Sequence, residues 1–178
     1  YNLGLMYDKG EGVLKNDKTA VKWFTLAAEQ GNADAQYNLG NGYLKGEGVP
    51  KNEKKAVKWF TLAAEQGDQY AQSLLATIYS DGQGTVQNNK VAVKWYTKAA
   101  EQGNALAQFN LAFFYVNGEG VLRDNRRAYM WWSLSAYNDG PQRAGKNRDM
   151  VAEEMTRADT SKAQDMAIRC LESGYKDC

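Results

Sequence analysis

Apolar side chains return along the chain at intervals of three and four residues. In Ala33 to Leu44, ADAQYNLGNGYL, the residues Ala35, Leu39 and Tyr43 stand four apart, which is one face of a helix. In Glu53 to Gln66, the residues Ala56, Trp59, Phe60, Ala63 and Ala64 fall at i, i+3, i+4, i+7 and i+8, the stripe of an amphipathic helix. Asn52 ahead of this stripe suits an N-cap, as do Asn16, Asn88 and Asp124 ahead of the matching stripes. Gly67 suits the stop, and Asp68 or Asn104 can cap the next helix. The pattern therefore predicts pairs of helices joined by Gly-x-Gly turns.

The pairs themselves repeat. Trp23, Trp59, Trp95 and Trp131 are 36 residues apart, as are Gly10, Gly46, Gly82 and Gly118. The stretch AVKWFTLAAEQG occurs twice, at Ala20 to Gly31 and at Ala56 to Gly67. A fixed period in this range marks an array in which each repeat is one helical pair. One pair cannot bury a stripe of Trp, Phe, Leu and Tyr, whereas stacked pairs can, at roughly 1.5–3 kcal/mol per large apolar side chain. The repeated residues are read as the packing unit, with Trp23, Trp59 and Phe24 in the core and with Gly40, Ala76 and Ala112 leaving room for them.

The run ADAQYNLGNGYLKGEGVPKNEKKAVKWFTLAAEQGD, Ala33 to Asp68, resembles the Sel1-like repeat family in period and residue order. The resemblance covers residues 1–140 as four copies, 1–32, 33–68, 69–104 and 105–140. The third departs at Thr85, where the others have Val13, Val49 and Val121, and the fourth departs at Ser135 and Asp139. The chain opens at YNLGLMY, partway through the pattern that later copies complete, so an upstream half-helix is expected. The segment 141–178 is expected to form a C-terminal helical cap, with helices over Pro141 to Met155 and Asp159 to Leu171. The resemblance implies an all-α, right-handed α/α superhelical solenoid of the tetratricopeptide-like kind, from a bacterium. It also implies a non-catalytic protein-binding role in envelope, signalling or host-interaction settings. A cysteine-rich branch of the family staples adjacent helices with disulfides, which implies a Cys170–Cys178 bridge and a periplasmic or secreted protein. The other reading is two free thiols in the cytoplasm.

Composition narrows the chemistry. The 178 residues are 43% apolar and carry 22 basic against 21 acidic side chains, a net charge of +1, so no global charge draws the chain to nucleic acid. The apolar runs are too short for membrane insertion, and no signal peptide is visible. Histidine is absent, which removes Ser-His-Asp and Cys-His nucleophile systems and HExxH zinc sites. No cofactor, metal or catalytic residue is expected, and a monomer is.

Three motifs invite other readings. The Gly-Glu-Gly turns are not phosphate cradles, because none continues as GxGxxG or ends in Gly-Lys-Ser/Thr. Lys18, Lys22, Lys54, Lys58, Lys90 and Lys94 form an outer lysine ladder that can meet an anionic surface, although Glu29, Glu65 and Glu101 lie on the same helices. Ser173 and Lys176 have the SxxK spacing of β-lactam-reactive serine enzymes, the runner-up activity being an amide hydrolase, but the SDN and KTG elements are missing.

The remaining signal lies on the first helices. With Ala35, Leu39 and Tyr43 inward, the opposite face, expected to be concave, carries Asp34, Tyr37 and Asn41, then Tyr70, Ser73 and Thr77, then Leu106, Phe109 and Phe113. These positions change from copy to copy while the core columns do not. A surface tuned to one asymmetric protein or peptide would vary in this way, and aromatics dominate binding hot spots. For the fourth copy, the alternative is that the C-terminal cap covers Leu106, Phe109, Phe113 and Val116.

Overall fold

Each polar cap named above starts a helix. The side chains of Asn16, Asn52 and Asn88 accept the amide of the residue three further on, at 3.0–3.1 Å, and Asp124 accepts two amides at once. Asn32, Asp68 and Asn104 do the same for the intervening helices. The computed structural model describes residues 1–178. The chain forms ten helices: α1 (Asn2–Lys9), α2 (Asp17–Glu29), α3 (Ala33–Lys45), α4 (Glu53–Glu65), α5 (Gln69–Asp81), α6 (Asn89–Ala100), α7 (Ala105–Asn117), α8 (Asn125–Tyr137), α9 (Arg143–Glu153) and α10 (Arg157–Glu172).

The chain divides into two compact units, Tyr1–Gln87 and Asn88–Cys178. In the first unit each helix packs on the next, from α1 through α5. Phe60 of α4 is fully buried against Gly40 of α3, where an added Cβ would stand 2.6 Å from the ring. Phe24 of α2 meets Gly4 of α1 in the same way. The missing Cβ is what lets a phenyl ring lie between two helix backbones.

The turns use their two glycines differently. Gly46 ends α3 in the left-handed region, φ +79°, where L side chains are strained. Gly48, also at positive φ, abuts the Asp17 carbonyl at the start of the preceding second helix. Gly84 meets Glu53 likewise. The second glycine thus sets how closely successive hairpins approach.

In the second unit α6 packs on α7 and α7 on α8, while α9 and α10 both pack on α8. Tyr175 in the tail hydrogen-bonds Asn138 at 2.8 Å and lies over Gly103. A disulfide joins Cys170 to Cys178.

One expectation about the core needs correction. Trp131 is 3% exposed and Trp95 is buried, yet Trp23 is 38% exposed and Trp59 only half-buried. Trp59 packs on the cluster around Ala20, Phe24 and Leu39, which is built from α2 of the preceding hairpin and α3 of its own. Phe24 and Phe60, one residue on, are buried against Gly4 and Gly40 and fill their own hairpins from within.

Candidate partner-binding faces

The helical period places Asp34, Tyr37 and Asn41 on α3, and Tyr70, Ser73 and Thr77 on α5, within the first unit. Asp34 is exposed, Tyr37 and Asn41 are half-buried, and Tyr70 is 61% exposed. The Tyr37 and Tyr70 rings lie 6.5 Å apart at 49°, so two aromatics from successive first helices form one patch. Tyr37 is held from below by Phe60 at 6.0 Å, and the Asn41 side-chain amide donates to the Tyr37 carbonyl at 3.3 Å. Beside them the Tyr1 phenol is pushed above its usual range, first by burial and then by the Asp34 carboxylate.

Ser73 departs from the expected exposure, being buried. Tyr70 and Thr77, at i−3 and i+4, flank it on the same helix face and its short side chain stays beneath them. Thr77 is half-buried and donates its hydroxyl to the Ser73 carbonyl at 3.2 Å.

In the second unit Leu106 is 53% exposed and Phe113 remains partly open. Phe109 is buried, contrary to expectation, because its ring packs edge-on against Phe113 at 5.1 Å and Phe113 in turn stands on Trp132 at 5.1 Å. The cap helices lie on α8, so Leu106 and Phe113 keep their exposure.

The lysines of the outer ladder are all exposed, with the Lys58 ammonium 5.6 Å from the Trp59 ring centroid. Ser173 caps α10. Its hydroxyl donates to the Cys170 carbonyl and accepts the Asp177 amide, both at 3.0 Å. No helix is long and apolar enough to cross a membrane, and no group of three or more Cys, Asp or Glu side chains is placed to hold a metal ion.

Sequence reasoning missed a buried polar ladder. Gln36, Gln72 and Gln108 each donate a side-chain amide to the carbonyl eight residues back, Ala28, Ala64 and Ala100, at 3.0–3.1 Å. Gln66 donates to Gln36 at 2.7 Å, and Asn138 to Gln108 at 3.0 Å. The signal was present as a glutamine recurring after Ala35, Ala71 and Ala107.

Stacked helical pairs, capped alike and repeated every 36 residues, define an α-solenoid repeat protein. The Sel1 repeat family model matches residues 1–32, 33–68, 69–104 and 105–140, and the chain belongs to that family. It is similar to a Sel1 repeat protein from Oxalobacter formigenes, with 43% identity, a TM-score of 0.74, and coverage of 76% of this chain and 54% of that one. It is also similar to c5321, a protective antigen of uropathogenic Escherichia coli strains with the same repeat fold. There the identity is 38% and the TM-score 0.87, over 97% of this chain and 37% of that one. Cysteine rich protein B of Helicobacter pylori shares the fold at 18% identity, TM-score 0.59, over 74% of this chain and 94% of that one. The chain thus spans about half and about a third of the first two relatives. A search of curated proteins gave no match.

Proposed function

We propose that the chain is a non-catalytic, monomeric scaffold that holds a protein or peptide partner on the exposed faces of its first helices. The observation that carries this reading is the contrast between columns. Positions that are constant between copies, such as the Ala20, Ala56, Ala92 and Ala128 column and the Ala35, Ala71 and Ala107 column, are buried, while the positions that vary include exposed Tyr70, Leu106 and Phe113. Large aromatic and apolar side chains left partly in water suit recognition of a polypeptide. The Sel1 repeats support protein binding as the class of activity.

The disulfide is consistent with a location outside the cytoplasm, and periplasmic or secreted is the setting we assign. The likeness to a protective antigen supports an envelope or host-facing role. The Ser173 hydroxyl is engaged on both sides by the tail's own backbone, which favours a structural part for it over a nucleophilic one.

The experiment places a photo-crosslinking amino acid at position 70 of the full chain, in the cells that make it. The reading requires a discrete crosslinked polypeptide that is lost when Tyr37→Ala is added. A crosslink that forms equally well from an outer-face position such as Lys22 would refute it.

A further inference from the structure

The variable face of the first unit continues into a cleft of 190 Å³, a volume of roughly six waters at ~30 Å³ each. Val21 and Phe24 of α2 give it an apolar side, and Asp8 of α1 with Tyr37 and Asn41 of α3 give it a polar one. Two residues set it apart from the other copies. Gly42 lines it at the register where the other copies carry Met6, Ile78 and Phe114, and Ile78 is buried in its own copy. Asp8 lines it at the register where the others carry Leu44, Ser80 and Val116. The cleft is open for want of one side chain and charged by the presence of another.

Three carboxylates line it, Asp8, Asp17 and Glu47. Two of them already have a lysine nearby, Glu47 at 3.9 Å from the Lys45 ammonium and Asp17 facing Lys15, which leaves Asp8 as the carboxylate without an ion pair. Asp17 Oδ1 is shielded from solvent and accepts no hydrogen bond, its counter-charge being Lys15 Nζ at 3.4 Å. None of the ladder lysines Lys18, Lys22, Lys54 and Lys58 lines the cleft. An apolar stem ending in a cationic, multi-donor head satisfies both sides at once, and arginine and lysine side chains have that form.

We propose that this cleft seats one arginine or lysine side chain of the polypeptide partner, its stem on Val21 and Phe24 and its head toward Asp8. The proposal rests on the reading of the first-helix face as a polypeptide-binding surface.

The test titrates the ¹⁵N-labelled 178-residue chain with acetyl-Gly-Arg-Gly-amide, its lysine counterpart and its neutral citrulline counterpart. The arginine or lysine peptide shifts the amide resonances of Asp8, Tyr37, Asn41 and Gly42, and the citrulline peptide binds about tenfold more weakly. Asp8→Asn weakens the cationic peptide by a similar factor, and Gly42→Ile, which fills the cleft, abolishes the shifts. Should Gly42→Ile fail to fold, Asp8→Asn decides alone. Equal shifts from arginine and citrulline peptides would overturn the proposal while leaving polypeptide binding intact. Absence of shifts from all three, with the position-70 crosslink still formed, would overturn it as well.

Discussion

Phe60 and Trp23 show how the burial of a side chain decides its contribution. Phe60 is wholly enclosed against Gly40, so Phe60→Ala removes a ring that no neighbour can replace and is expected to cost about 3–5 kcal/mol. Trp23 is 38% exposed, and Trp23→Ala is expected to cost less, about 1–2 kcal/mol. Chemical denaturation of both variants checks the order. A larger loss for Trp23→Ala would mean that the two columns have been assigned the wrong way round. This distinction was not legible in the sequence. Trp23 and Trp59 lie in identical twelve-residue stretches, yet Trp59 packs on the cluster formed by α2 and α3 while Trp23 stays 38% exposed. Ser73 and Phe109 were misplaced for a related reason: helical period gives a direction, and exposure depends also on side-chain length and on what stands beside it.

Among the elements, the helix caps were the most legible, because Asn16, Asn52 and Asn88 act on amides three residues away and need no tertiary partner. The turn glycines were half legible. Left-handed backbone at Gly46 follows from its position, whereas the approach of Gly84 to Glu53 depends on a neighbouring hairpin. Gly84→Ala forces a Cβ into that backbone at φ +73° and is expected to destabilise by about 1–3 kcal/mol, read as a lower melting temperature. Retention of the wild-type value would show that the hairpins separate without cost. The tail answers to a different constraint. Cys178→Ser opens a loop with a sequence separation of 8 and is expected to cost about 2–3 kcal/mol. The same change frees Tyr175 from Asn138, which hydrogen exchange near Gly103 would report. The glutamine ladder escaped the sequence reading because a glutamine after an alanine reads as solvent-facing until the carbonyl of Ala28 or Ala64 is seen to await it.

At the scale of the whole molecule, the proposed function has repetition serve stability and variation serve recognition. The absence of histidine removes the schemes that need an imidazole base, and the net charge of +1 gives no global pull toward nucleic acid. Nitrocefin is expected to turn over no faster with the wild type than with Ser173→Ala, and a serine-dependent rate would reopen the hydrolase reading. The fold class and the repeat period were legible because a 36-residue pattern of small and aromatic residues admits few other architectures. The Asp8–Gly42 cleft was not, because neither residue belongs to a motif and the cleft appears only when α1 and α3 stand over α2. The most direct test of the division is one double variant, Tyr37→Ala with Tyr70→Ala, assayed for both melting temperature and capture of the crosslinked partner. The account predicts a melting temperature within about 3 °C of wild type and loss of capture. Retained capture, or an unfolded protein, would contradict it.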